Sequence, residues 1–338
     1  MPATRTGIVA TVGPEMRSAD QLGAAVEAGA RGFRIPLSRQ LDRAVALAGL
    51  IAEISAASGI ALSTFLDVPG PKKILMVPAA GIPGTATDVR VPFVQRSGGT
   101  TEQFEDLHLL WDIQHDYFEA GDTVLLGDGE AALTVLEVAV DSMVIRPPAG
   151  GIGGGQLGVA VSGKEGHSPG AALLSAQMLE IIGQIPDASI MLSFITTADQ
   201  VRRTRSLLAG SGLTAPIWSK VETRAGVDNL DAVMEVSDGV LLGRGDLLMD
   251  TGPIDYHSYE SRARTRLLAG HTPYMIGTQL WTASSGSLLP HRSELSYLCE
   301  LIAGGVSFLL LSDETTIGPD PAGTIRTICR LIERYSVR

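Results

Sequence analysis

Along the chain, short runs of consecutive apolar residues alternate with longer stretches whose apolar positions recur at helical spacing. The short runs are Gly7–Val12, Gly32–Leu37, Ile60–Asp67, Ser189–Phe194, Pro216–Glu222, Gly239–Arg244, Pro273–Gln279 and Ser307–Asp313. They are continuous rather than alternating, which marks strands buried on both faces, as in a parallel sheet. The first helical stretch is Ala19–Ala28, with Ser18 placed as N-cap and Gly29 as stop. The others are Gln40–Ala57, Ala171–Ile185, Ala198–Leu208, Val227–Val236, Ile254–Leu268, Arg292–Ala303 and Pro321–Tyr335. Eight such strand–helix units are the number that closes a barrel, and right-handed crossovers put every helix outside. An open doubly wound sheet is the alternative; a helix closing the last unit favours the (β/α)8 TIM barrel of the α/β class.

One stretch breaks the alternation. After the third strand, Asp122–Pro148 reads as short strands joined by tight turns such as Gly127-Asp128-Gly129, and Ala149–Gly155 (AGGIGGG) reads as a flexible loop. Pro69-Gly70 and Pro169-Gly170 bracket the region. The expected organisation is barrel at 1–71, an inserted all-β lid domain at 72–168, and barrel again at 169–338.

Composition narrows the class. With 45% hydrophobic and 19% charged residues, the chain has ample material for a core and is not disordered. The net charge of −11 disfavours a phosphate backbone as partner, so no nucleic acid is expected. No apolar run approaches the roughly 20 residues that cross a bilayer, so no membrane is expected either. The N-terminus lacks an apolar signal region. Two cysteines, Cys299 and Cys329, are too few for a disulfide framework, and a reduced cytoplasmic protein fits.

Barrel chemistry gathers at the C-terminal ends of the strands. Those ends carry Arg34, Asp67, Ser193, Lys220 with Glu222, Arg244 with Asp246, Thr278 with Gln279, and Asp313 with Glu314. Charged groups ending apolar strands are costly to bury unless they face a wet or liganded site. One lysine, two arginines and several carboxylates suit a small carboxylate or phosphate substrate held with a divalent metal. Lys220 and Glu222, two apart on a strand, share a face. In GRGD the amides of Gly245 and Asp246 can cradle a carboxylate if a helix starts there. Glu222 and Asp246 are the candidate ligands of Mg2+ (or Mn2+), which takes few protein carboxylates and keeps water and substrate oxygens. The plainer readings are an ordinary Lys–Glu pair, Arg34 paired with a neighbouring carboxylate, and Thr278 as a structural hydroxyl. Trp281 reads as a pocket wall, His167 and His271 as surface residues, and His108 with His115 as structural; the Gly-rich loop lacks the Lys-Ser/Thr of a P-loop.

These motifs carry a resemblance. TRTGIVATVGP, GARGFRIPLS, FLDVPGPKK, SFITTADQV, SKVETRAGVDNLD, SDGVLLGRGDL, GTQL and LSDETTIGPDP follow, in order, the motifs of the pyruvate kinase family. The resemblance implies a Mg2+-dependent enzyme moving a phosphoryl group between phosphoenolpyruvate and a nucleotide through an enolate. It implies that Glu222 and Asp246 hold the metal and that Lys220 stabilises the phosphoryl group and the enolate oxygen. It further implies that Arg34 binds phosphate, that Thr278 meets the substrate carboxylate near the enolate carbon, and that Ser312 with Glu314 matches a proton-relay segment. Ser193, Arg244 and Gly245 complete the substrate candidates; Arg39, Lys72 and Lys73 are the nucleotide candidates, and the lid is expected to close over ADP or ATP.

Departures from the family pattern shift the expectations. Pro36 replaces an Asn and Val68 a Thr of the K+ site, although Ser38 and Asp67 remain, and Lys72 replaces a Glu, as in relatives that work without K+. No K+ requirement is therefore implied. Arg39 replaces a His, Ile74 an Arg, and Gln156 with Leu157 the lid's basic residue, so nucleotide contacts have drifted. Asp313 replaces a Gly and His291 a Thr, adding an acid or base beside the presumed enolate site. A lyase, aldolase or decarboxylase on a 2-oxo acid, working without nucleotide through the same site, is the alternative; a non-catalytic oxo-acid-binding protein is the third reading. Family members continue past the position matching Arg338 into an effector-binding domain that helps build a tetramer. Its absence implies no such regulation and argues against the usual tetramer, with a homo-oligomer as the remaining expectation.

Overall fold

The computed structural model describes residues 6–70, 74–95, 107–111, 117–127, 129, 131–161, 164, 174–281 and 290–336. Two compact units emerge. One comprises Met1–Gly70, Ala171–Arg244 and Glu260–Arg338; the other comprises Pro71–Gly170 and Gly245–Tyr259.

The first unit is a closed barrel of eight parallel strands: β1 (Gly7–Thr11), β2 (Gly32–Pro36), β3 (Ser63–Val68) and, after the inserted strands β4–β10 described below, β11 (Ser189–Leu192), β12 (Ile217–Val221), β13 (Gly239–Gly243), β14 (Tyr274–Gly277) and β15 (Phe308–Leu311). Closure is direct, because β1 pairs with β2 through Val9 and Gly32 and with β15 through Gly7 and Phe308. All eight expected strands are present; β3 starts at Ser63 rather than Ile60 because the preceding residues link it to the last helix. Three rings fill the lower interior edge to face, with Phe65 5.4 Å and Phe308 5.7 Å from Trp218. Gly239 makes room for them: a Cβ there would lie 2.4 Å from the indole.

The helices are α1 (Ala19–Ala28), α2 (Leu37–Gln40), α3 (Ala44–Ser58), α4 (Ala176–Gln184), α5 (Ala198–Gly210), α6 (Arg224–Asp228), α7 (Leu230–Val236), α8 (Arg244–Ala269), α9 (Arg292–Ala303), α10 (Asp313–Thr316) and α11 (Pro321–Tyr335). Ser18 caps α1 in a capping box with Gln21. Gly29 ends that helix at φ 120°, and a Cβ there would lie 2.1 Å from Cys329 Sγ of α11. Asp320 caps α11 through Gly323 N at 2.9 Å, and the helix buries a stripe of Ile325, Ile328 and Ile332. Four helical expectations need correction. Ala171–Ile185 is shorter, with Ser175 capping a helix that runs from Ala176 to Gln184. Gln40–Ala57 divides into α2, a 3-10 turn at Leu41–Arg43, and α3. Val227–Val236 is two helices meeting at Asn229. α8 begins at Arg244, ten residues before Ile254, with its bend at Gly252 (φ 71°) before Pro253. Among the described residues, no helix is long and apolar enough to cross a membrane.

The second unit holds a separate closed sheet of seven strands: β4 (Ile74–Val77), β5 (Val89–Gln95), β6 (His108–Trp111), β7 (Thr123–Leu126), β8 (Ala131–Val138), β9 (Ser142–Arg146) and β10 (Gly155–Val161). Its apolar positions alternate along the strands, and Val124, Leu126, Leu133, Val135, Met143, Ile145, Val159 and Val161 pack inward. The Gly127–Gly129 turn follows β7, with Gly127 at φ 63° and Gly129 at φ 95°; Asp128 lies outside the described residues. The Gly-rich 149–155 segment, expected to be flexible, is packed instead. Ile82 and Ile152 exchange backbone hydrogen bonds at 2.8 Å. A Cβ on Gly84 would lie 1.9 Å from Ala149 O, so these glycines serve close backbone approach.

Candidate active site

Strand pleating sends every second side chain of the first unit into the barrel. In the lower interior that set is Val9, Phe65, Met191, Trp218, Leu241, Met275 and Leu310. Two residues further along each strand, the same parity gives Thr11, Asp67, Ser193, Lys220, Gly243, Gly277 and Ser312, with Arg34 two beyond Gly32. The apolar interior therefore ends in a polar layer at the C-terminal rim.

Among the described residues, four charges meet in that layer. Arg34 grips Asp67 Oδ2 with Nε at 2.9 Å and Nη2 at 2.5 Å, and reaches Thr11 Oγ1 with Nη1 at 3.3 Å. Lys220 Nζ lies 3.1 Å from Asp67 Oδ1 and 3.4 Å from Glu222 Oε1, and donates to Ser193 Oγ at 2.8 Å. The Ser193 hydroxyl in turn donates a hydrogen bond to Val68 O at 2.9 Å. The side chains of Lys220 and Asp67 are 10% and 8% exposed and that of Arg34 is 19% exposed. Two cations and two carboxylates balance, which is how such burial is tolerated. Burial pushes the Asp67 carboxyl up, but the neighbouring Arg34 and Lys220 outweigh it and hold the group below the usual carboxylate range. Asp67 Oδ1 is tied to the Lys220 ammonium by charge across that 3.1 Å separation.

Glu222 is aimed by the backbone around it. Phe194, at φ 57°, turns its amide onto Glu222 Oε2 at 3.0 Å. Gly243, one strand over, leaves room for the carboxylate: a Cβ there would lie 2.6 Å from Glu222 Oε1. Asp246 occupies the first turn of α8, three residues past Gly243, and Gly245 is buried at that helix start. Among the described residues, no group of three or more His, Cys, Asp or Glu could hold a metal.

The remaining candidates fall in several places. Thr278 and Gln279 follow β14 at φ 72° and 50°, a left-handed pair ending the strand's alternation. Arg244 donates to Thr278 O at 2.9 Å and lies over the Tyr297 ring at 4.3 Å, so much of its guanidinium is engaged within the protein. Ser312 is half-buried beyond β15, where Asp313 and Glu314 begin α10; the side chains of those two residues lie outside the described set. Arg39 is exposed in α2, His291 is exposed at the N-cap of α9, and His271 is exposed beyond α8. His108 is buried in β6 and Trp281 is half-buried. Lys72, Lys73, His115 and His167 lie outside the described residues.

Asp67 carries more of the rim than its place among the strand-end charges suggests. It stands at the centre of the charge network, and its parity with Phe65 signalled an inward side chain. Thr11, Phe194 and Gly243 carry no charge and offered no comparable signal.

Barrel, strand-end charges and inserted sheet together define a TIM-barrel protein with a polar rim of enzyme type. A family model described as "Pyruvate kinase, barrel domain" matches residues 3–325, and the chain belongs to the pyruvate kinase family. It is 27% identical over 331 residues to the pyruvate kinase of Mycobacterium tuberculosis, covering 97% of this chain and 70% of that one. It is likewise 27% identical to the pyruvate kinase of Agrobacterium vitis, covering 98% of this chain and 68% of that one. Among solved structures, Cryptosporidium parvum pyruvate kinase superposes with a TM-score of 0.84 at 21% identity, over 98% of this chain and 71% of that one. The same protein in complex with ADP gives a TM-score of 0.83. At that identity the superposition speaks for the fold.

Proposed function

We propose that this chain transfers a phosphoryl group between phosphoenolpyruvate, or a closely related phosphoenol acid, and a nucleoside diphosphate. The observation that carries the reading is the buried network of Arg34, Asp67, Lys220 and Glu222 at the strand ends of a pyruvate kinase barrel. Phosphoryl transfer depends on fixed positive charge around spreading negative charge. Lys220 is held by three oxygens, so its ammonium is already oriented when a substrate arrives. It stabilises charge on the phosphoryl group or the enolate oxygen. Arg34, the most exposed of the four, offers its guanidinium to phosphate. Thr278 lies at the rim as the group facing the substrate carboxylate. Ser312, with Asp313 and Glu314, is the segment for moving the proton at the enolate carbon.

A divalent cation fits this chemistry. The two donors, Glu222 and Asp246, are both carboxylates, the hard oxygen donors such a cation takes. Glu222 and Asp246 would hold Mg2+, which supplies Lewis-acid polarisation of substrate oxygens and charge neutralisation. The amide of Gly245 at the start of α8 supports a carboxylate. K+ is dispensable in this reading: Pro36 and Val68 offer no side-chain oxygen, and Asp67 already has two cationic partners. ADP is the acceptor of choice because a solved relative holds ADP; Arg39, Lys72 and Lys73 are the basic residues available for its phosphates.

The test is an initial-rate assay with phosphoenolpyruvate, ADP and Mg2+, coupling pyruvate release to a dehydrogenase. ATP formation that vanishes on Mg2+ chelation is expected. Oxaloacetate or aldol turnover without nucleotide, and none with phosphoenolpyruvate and ADP, would overturn the reading.

A further inference from the structure

Thr278 is β-branched, yet it sits at φ 72° and is followed by Gln279 at φ 50°. Two consecutive left-handed residues without glycine are strained and persist only where surroundings over-determine them. One contact on Thr278 stands out: Arg244 Nη1 donates to its carbonyl at 2.9 Å. Arg244 is itself braced. Its guanidinium lies 4.3 Å from the centre of the Tyr297 ring, a cation–π contact. The Tyr297 hydroxyl donates to Glu260 Oε1 at 2.5 Å, and Glu260 is 4% exposed and paired with Arg264 Nε at 3.0 Å. A buried carboxylate thus fixes a ring, the ring fixes a guanidinium, and the guanidinium fixes a strained carbonyl at the rim.

We propose that Arg244 is a positioning residue, and that Tyr297 and Glu260 exist to hold it on Thr278. Resting on the reading of the rim as the reaction site, the clamp keeps Thr278 in the single conformation that meets substrate. Neither Tyr297 nor Glu260 belongs to the strand-end layer, and no motif in the sequence points to them. Burial and the neighbouring Glu260 raise the Tyr297 hydroxyl well above its usual value, so it stays a donor across the working range. A planar, stacked guanidinium is what this geometry uses, which a lysine cannot copy.

The experiment compares Tyr297→Leu, Tyr297→Phe and Thr278→Val, singly and combined, with thermal unfolding to confirm folding. Tyr297→Leu removes the ring beneath Arg244. Its kcat with phosphoenolpyruvate and ADP should fall about tenfold, the size of one relaxed backbone strain, while KM for phosphoenolpyruvate stays within twofold. Tyr297→Phe keeps the ring and should lose no more than threefold. The Tyr297→Leu/Thr278→Val double variant should be no slower than Thr278→Val alone, because both changes act through one residue. Additive losses, a change confined to KM, or an unchanged kcat in a folded Tyr297→Leu protein would overturn the proposal. A crystal structure of Tyr297→Leu supplies an activity-independent readout: Thr278 should relax to negative φ. Retention of φ near +72° with Arg244 still on the carbonyl would also overturn it. A parent protein without turnover would refute the functional reading alone, and the crystal structure would then decide the clamp.

Discussion

Replacing Asp67 by asparagine isolates the charge at the centre of the rim. The side chains are nearly isosteric, so shape is kept while a buried negative charge disappears. Arg34 then loses its bidentate partner, and Lys220 keeps the pairing with Glu222 at 3.4 Å. Breaking a buried pair from one side costs about 3–5 kcal/mol. None of the three side chains is more than 19% exposed, so solvent screening removes little of this. For a barrel of this size each kcal/mol shifts the midpoint by about 2–4 °C, so Tm should fall by roughly 6–20 °C at neutral pH. Tryptophan fluorescence follows the transition through Trp218, which is 6% exposed in the barrel interior. The pH dependence has a definite sign. The folded carboxyl of Asp67 is held below its unfolded value of about 3.9. Its contribution is complete above that pH and is lost as pH falls through the folded value. The gap between parent and Asp67→Asn should therefore be constant from pH 8 to 5 and close below pH 4. As a reference, Asp199→Asn removes an exposed pair with Arg203 and should cost no more than about 1 kcal/mol. An Asp67→Asn deficit no larger than this reference, or one that stays unchanged down to pH 3, would refute the reasoning.

Other expectations follow from single contacts. Gly243→Ala places a methyl 2.6 Å from the Glu222 carboxylate; it should leave the fold intact but lower Mg2+-dependent turnover at least tenfold, measured by titrating Mg2+ in the coupled assay. Trp218→Ala empties the lower barrel and should cost about 3–5 kcal/mol in urea denaturation followed by circular dichroism. Exchanging K+ for tetramethylammonium should leave kcat within twofold, because no monovalent ion is needed to neutralise Asp67.

Much of the barrel was legible because its strands are buried on both faces, and continuous apolar runs ending in charged residues leave few other interpretations. Ser18 and Gly29 also marked the ends of α1 by local chemistry alone. The start of α8 was not legible. It leaves β13 directly, with no side-chain cap at Gly243, and Gly252-Pro253 imitates a helix start further on. Lys220, Glu222 and Arg34 could be read from strand-end charge. The centrality of Asp67 depended on inward parity across neighbouring strands, which a linear pattern shows only when strands are aligned. The Arg244–Tyr297–Glu260 brace was hidden because it joins the start and second half of a bent helix to another helix, with no common spacing.

The central claim is that Lys220, set among Asp67, Glu222 and Ser193, stabilises charge during phosphoryl transfer. Lys220→Ala tests it most directly, with ATP formation from phosphoenolpyruvate and ADP compared with the parent after folding is confirmed by circular dichroism. The account predicts a loss of about 10²–10³-fold in kcat, as for removal of a preorganised donor; a folded Lys220→Ala protein that retains the parent rate within threefold would contradict it.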